Sequence, residues 1–187
     1  MSRIYTCRFK HPIFNFRQYS KRRHSEDEFA ESFSIFYKNR FQKIHPRTSI
    51  KSTLFVRELP VAGNGIADLV VFGWTRSHID ITAGLDELIA EKPIIRAIEF
   101  KISDWRRGLM QTHRYKHFSD ASILVIPSSK IKTALLHLDT FRTLRIGLWG
   151  YDMERETIRK AYTPRPKLQA VGKYKTAALR KATFCLS

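Results

Sequence analysis

Behind Pro93 the chain reads Ile94-Ile95-Arg96-Ala97-Ile98-Glu99-Phe100-Lys101-Ile102. β-branched and apolar residues dominate it and a proline marks its entry, which predicts a strand. With a period of two, Ile94, Arg96, Ile98, Phe100 and Ile102 point one way, and Ile95, Ala97, Glu99 and Lys101 the other. Glu99 and Lys101 thus stand side by side at the end of a face that begins apolar. There the acid can hold a cation, and the amine can place an anion or a water. Alone, Glu-x-Lys is more simply a salt bridge on an edge strand, since a lysine-rich chain contains that spacing by chance.

A second stretch adds weight to the first. Gly65-Ile66-Ala67-Asp68-Leu69-Val70-Val71-Phe72 follows the turn-like Ala62-Gly63-Asn64-Gly65 and also predicts a strand. Asp68 shares its face with Ile66, Val70 and Phe72. An ionised carboxylate there is costly unless a cation or hydrogen bonds compensate. Capping a turn or pairing with an arginine would also account for Asp68. Two acids and a lysine on neighbouring strands suit a divalent metal and an attacking water.

Asp68 followed by Glu99-x-Lys101 resembles the signature of the PD-(D/E)XK nuclease superfamily, the restriction-endonuclease-like fold. That family carries its Asp on a hairpin strand and its Glu-x-Lys on the next. A helix follows here too, with Ser103 and Asp104 as N-cap candidates and 105–118 as its body. Within it, Gln111-Thr112-His113-Arg114-Tyr115 is similar to the QxxxY element of exonuclease-like branches. Gln111 and Tyr115 are spaced i,i+4 and share one face. Ala121 to Ile126 reads as a buried strand, as that fold requires. The resemblance spans about Ser25 to Tyr151. It departs from the family in having Ala67 where a proline usually precedes the Asp, and in a long gap between Asp68 and Glu99.

The resemblance implies an α/β fold, a central mixed sheet flanked by helices. It implies that Asp68, Glu99 and the Phe100 carbonyl bind Mg²⁺, or Mn²⁺ in its place. Lys101 would assist the attacking water or the phosphate, and Gln111 would orient the nucleophile or substrate with Tyr115 beside it. Arg106, Arg107 and Arg114, on the same helix, would hold the nucleic-acid backbone. DNA is favoured as substrate by analogy with the family, and endonucleolytic cleavage over exonucleolytic. Relatives that cut both strands often do so as dimers, so a homodimer is allowed.

Charge distribution points the same way. The 187 residues carry a formal net charge of +17. Residues 1–24 contribute +7 and residues 155–187 contribute +8, leaving only +2 for 25–154. A near-neutral core, 25–154, between a basic N-terminal arm, 1–24, and a basic C-terminal tail, 155–187, suits a binder of phosphate backbones. Solubilising or targeting tails would show the same composition. Apolar residues make up 43% of the chain, enough for one domain with a proper core. Cys7 and Cys185 offer neither a disulfide framework nor a zinc knuckle. The start lacks an apolar run long enough for a signal peptide and nothing later spans a membrane, so an intracellular protein is expected.

Basic and aromatic residues interleave between Arg3 and Tyr19, a pattern equally suited to stacking on bases and to packing as an arm. Ser25 with Glu28 forms a capping box, predicting a helix from there to about Arg40. Its inward stripe is Phe29, Phe33, Phe36 and Tyr37. At about 100° per residue, Glu26 falls within that stripe, while Glu28 and Glu31 fall off it. Many nucleases of this fold place an extra acid there; complementing the helix dipole accounts for Glu26 equally well. A strand over 53–59 pairs with the Asp68 strand, bringing Glu58 near Asp68 as a second candidate for the extra acid. The excursion 75–92 contains a short helix over 85–90 and several acids best read as a solvated face. A helix from Ser128 through Leu138 and a strand over 144–149 complete the compact part at Gly150-Tyr151-Asp152, with a further helix in the tail over 175–181. The alternative to a nuclease is a non-cleaving nucleic-acid-binding protein that keeps the fold and works through its basic ends.

Overall fold

A computed structural model describes residues 3–8, 20–46, 48–61, 63, 65–77, 79–80, 84–168 and 172–184. The basic-aromatic stretch 9–19, Ala62, Asn64 and Cys185 lie outside the described residues. The chain is α/β: among the described residues seven strands form one mixed sheet in sequence order, with six α-helices around it. The strands are β1 (Arg3–Arg8), β2 (Ser52–Val61), β3 (Gly65–Trp74), β4 (Ile94–Phe100), β5 (Ala121–Pro127), β6 (Ile146–Asp152) and β7 (Thr157–Tyr162). The helices are α1 (Ser20–Ile44), α2 (Leu85–Ala90), α3 (Trp105–Arg114), α4 (Ile131–Leu135), α5 (Leu138–Leu144) and α6 (Lys173–Phe184). β1 runs parallel to β2, β3 is antiparallel to both neighbours, β4 to β6 are parallel, and β7 returns antiparallel. No helix among the described residues is long and apolar enough to cross a membrane.

Alternation sorts the sheet's side chains onto two faces. Leu69, Val71, Ile98, Phe100, Ile123, Val125, Trp149 and Tyr151 meet the α1 stripe of Phe29, Phe33, Tyr37 and Phe41. These rings pack edge to face, with Phe33 5.2 Å from both Phe100 and Tyr151, centroid to centroid. On the other face, Leu54, Val56, Val70, Phe72, Ile95 and Ala97 pack against Ala178, Leu179 and Ala182 of α6. Beside them, Leu124, Ile126, Ile146 and Leu148 pack on Trp105 and Leu109 of α3, and on Ile131, Ala134 and Phe141.

Several expectations are corrected. The helix beginning at Ser25 starts five residues earlier, at Ser20, and runs to Ile44, so the capping box at Ser25 and Glu28 lies inside it. The helix through Leu138 is broken instead into α4 and α5, which meet at Leu136 and His137. Asp104 does cap α3, its Oδ1 accepting from the Arg107 amide at 3.1 Å. The compact part does not end at Asp152, because β7 closes a hairpin on β6. The basic ends are also more than appendages: β1 extends the sheet at one edge, β7 at the other, and α6 covers one face.

One buried ion pair ties α6 down. Lys175 Nζ donates to Asp120 Oδ1 at 2.6 Å, with both side chains at most 5% exposed. Asp120 Oδ2 accepts the Ile95 amide of β4 at 2.8 Å. Lys175→Met leaves Asp120 buried without its cation, a loss of about 3–5 kcal/mol by urea denaturation. Adding Asp120→Asn should recover part of that loss, since asparagine can still accept from Ile95. A single variant as stable as the wild type would mean that α6 does not depend on this pair.

Candidate active site

The antiparallel register of β3 and β4 pairs Leu69 with Ile98 and Val70 with Ala97. One step further along the same register, Asp68 stands across from Glu99. Asp68 is half-buried and Glu99 is 1% exposed. Asp68 Oδ2 accepts the Phe100 amide at 2.8 Å, a side-chain bond where the ladder between the strands has ended. Lys101 follows directly, its amide donating to the Val125 carbonyl of β5 at 3.1 Å. Its Nζ lies 2.9 Å from Glu99 Oε1 and 2.9 Å from Glu26 Oε1 on α1.

Tyr115, in the 3₁₀ turn that continues α3, reaches the same carboxylate from below. Its hydroxyl contacts Glu99 Oε2 and the Ile66 carbonyl, the latter at 2.9 Å. A phenol has a single hydrogen. That hydrogen is donated to the Glu99 carboxylate or to the Ile66 carbonyl, or is shared between them.

The electrostatics favour a proton held in the Asp68 and Glu99 pair. Withdrawal from water, then repulsion by Glu99, pushes Asp68 up to about 8, although Lys101 and the Phe100 amide pull the other way. Burial likewise raises Glu99, against the pull of Lys101 and Tyr115. Burial alone would lower the Lys101 ammonium, but Glu99 and Asp68 together outweigh it and hold its proton more firmly than usual. Tyr115 stays a phenol, raised by burial and by the two acids. Two facing carboxylates that cannot both ionise comfortably are relieved by a shared proton or by a dication.

Glu26, Glu58, Asp68, Glu99, Phe100, Lys101 and Gln111 line one cleft of about 660 Å³. Tyr115 is buried beneath it, and Arg106, Arg107 and Arg114 are exposed on α3 outside its lining. Glu26 reaches Lys101 rather than the two facing acids. Glu58 falls opposite Asp68 in the register of β2 and β3, between the pairs Arg57–Leu69 and Leu59–Ala67. Its φ is +56°, a left-handed residue within a strand, a strain found most often at functional sites. Gln111 Oε1 is buried with no hydrogen-bond partner among the described residues.

Among the described residues no group of three or more His, Cys, Asp or Glu side chains is gathered as a metal cage. Mg²⁺ usually takes one or two carboxylates and keeps its other positions for waters and phosphate oxygens. Asp68 and Glu99, mutually repelled and short of positive charge, fit that demand, and Phe100 stands beside them on the cleft wall. The chain matches no family model, no curated protein and no solved structure. Its own residues therefore carry the functional argument.

Two contributors escape a reading of strands and helices. Arg57 NH1 donates to Glu31 Oε2 at 2.7 Å at the rim of the cleft, a pair between elements 26 residues apart. Gly108 of α3 lies against Lys101. A Cβ there would sit 2.6 Å from Lys101 Cγ and 2.7 Å from Leu124 Cδ1. A helical glycine facing a strand is a signal for such close approach, but not for its target.

Two outcomes follow. Folded Asp68 holds its proton more tightly than an unfolded aspartate, between pH 3.8 and about 8. By linkage, the contribution of Asp68 to metal-free stability falls as pH rises through that window. In EDTA, the Tm of Asp68→Asn should exceed that of the wild type by a margin that widens with pH; a constant margin would contradict the placement of Asp68. Gly108→Ala should cost about 1–3 kcal/mol through overpacking against Lys101 and Leu124, measured by chemical denaturation.

Proposed function

We propose that this protein is a metal-dependent nuclease that hydrolyses phosphodiester bonds, with DNA the favoured substrate and endonucleolytic cleavage the favoured mode. The observation that carries this reading is the placement of Asp68 across from Glu99, with Lys101 on Glu99, in an open cleft of a basic chain. The resemblance to the PD-(D/E)XK superfamily supports it through the same residues on the same kinds of element.

In this reading Asp68, Glu99 and the Phe100 carbonyl hold Mg²⁺ or Mn²⁺. The ion supplies a bound water of lowered pKa and positive charge facing the scissile phosphate. Lys101 places its ammonium against the phosphate oxygens or the attacking water, where charge grows during the reaction. Glu26 holds that ammonium from the α1 side, and Tyr115 fixes the Glu99 rotamer from beneath. Gln111 offers its unpartnered carbonyl oxygen to the attacking water or to a substrate donor. Arg106, Arg107 and Arg114 meet the backbone of the strand outside the cleft.

A second reading, a non-cleaving nucleic-acid binder, draws on the fact that Lys101 and Tyr115 already occupy both Glu99 oxygens. One assay separates the two. Linear, circular and branched DNA are incubated with the protein in Mg²⁺ or EDTA. The nuclease reading expects cleavage that EDTA abolishes and that Asp68→Ala and Glu99→Ala each reduce by about a hundredfold or more. Binding without cleavage, unchanged in both variants, would establish the second reading. Arg107→Gln should weaken DNA binding and lower the slope of log affinity against log salt by about 1. An unchanged slope would remove Arg107 from the backbone contact.

A further inference from the structure

On β4, three residues before Glu99 and therefore on the opposite face, Arg96 is 5% exposed. Burying a guanidinium ordinarily requires a carboxylate or a set of carbonyls to receive its hydrogens. Among the described residues Arg96 has neither. Its Cζ lies 5.7 Å from the Phe41 ring centroid, and its buried NH1 has no hydrogen-bond partner among them. The guanidinium borders a recess of about 460 Å³ lined by Ile44, His45, Pro46, Thr48, Ser49, Ile94, Pro166 and Leu168. No acid is among those residues.

The surroundings reinforce the positive character. Lys160 Nζ donates to the Ile44 carbonyl at the end of α1. It thus already answers the negative end of that helix, which would otherwise be the simplest reason for a buried arginine there. His45 is kept neutral well below ordinary imidazole pH, through burial first and then the charges of Arg96 and Lys160. Thr48 Oγ1 accepts the Ile50 amide at 3.4 Å, which leaves its hydroxyl hydrogen to donate. The Ser49 side chain lies beside it on the recess wall.

We propose that this recess is a binding site for a small oxyanion, a phosphate or carboxylate group, received by the Arg96 guanidinium with the Thr48 and Ser49 hydroxyls beside it. A forked guanidinium matches two oxygens of either group. The apolar walls from Ile44, Ile94, Pro46 and Leu168 leave room for a short organic body attached to the anion. The site stands on the α1 face of the sheet and shares no residue with the cleft at Asp68 and Glu99. The inference does not depend on the nuclease reading.

The test is an amide NMR titration of the full chain in EDTA with inorganic phosphate and, separately, acetate. Because the chain is strongly basic, diffuse surface binding is expected too, and location is the readout that matters. The site requires saturable shifts at Thr48, Ser49 and Arg96 that share one dissociation constant. Phosphate, acetate or both producing them identifies the group preferred. Arg96→Met should abolish those shifts, and a buried apolar replacement of this kind is often tolerated by a fold. Should that variant fail to fold, Ser49→Asp serves, since a tethered carboxylate beside Arg96 should raise Tm and block the anion. Shifts that never saturate at these residues, or that persist in Ser49→Asp or Arg96→Met, would overturn the proposal and leave Arg96 hydrated by water alone.

Discussion

Two carboxylates facing each other across adjacent strands, one nearly without access to water, are the constraint on which this structure turns. Asp68 and Glu99 repel, and burial further disfavours the charge on each. Three neighbours reduce that cost, while the Glu26 carboxylate adds to it. The Phe100 amide donates to Asp68, Lys101 lies on one oxygen of Glu99, and Tyr115 takes the other. What remains uncompensated appears as a proton held to neutral pH. A fold that needed only stability would replace such a pair by apolar side chains of similar size. Its retention at the wall of an open cleft gives the pair chemical meaning.

The scaffold explains how the pair keeps its geometry. Ring-on-ring packing between α1 and the sheet fixes the helix that carries Glu26, so that its carboxylate reaches Lys101 from across the edge of the sheet. On the other face, α3 presents Gly108 so closely that a Cβ there would collide with the Lys101 stem. α6 is fastened through Lys175 and Asp120 to β4, the strand that bears Glu99. The bases of the C-terminal stretch are thus partly structural: Lys175 is buried in an ion pair, and the Lys160 ammonium lies over the Trp149 ring.

Much of the site was legible because it lies on short, strongly patterned strands. Alternation alone puts Glu99 and Lys101 on one face and Asp68 among apolar neighbours, and helical spacing puts Gln111 and Tyr115 on one face, although α3 ends at Arg114 and Tyr115 sits in the 3₁₀ turn after it. Glu26 was legible as a member of the inward stripe, though its partner was not. The ends of the chain were harder. Arg3–Arg8 reads as a basic arm because charge composition says nothing of backbone pairing, and β1 gains its place only from its parallel neighbour β2. Lys175 reads as one more tail lysine because burial with Asp120 is a contact between residues 55 positions apart. The break between α4 and α5 carries no proline or glycine, so tertiary packing rather than local punctuation decides it.

The claim at the centre of this account is that Asp68 and Glu99 form a site for a divalent cation. Calorimetric titration of Mn²⁺ into the DNA-free protein tests it without any assumption about substrate. The account predicts saturable binding that releases protons, since the pair must give up what it holds, and that is lost in both Asp68→Asn and Glu99→Gln. Absence of binding, or binding that survives both substitutions unchanged, would contradict it.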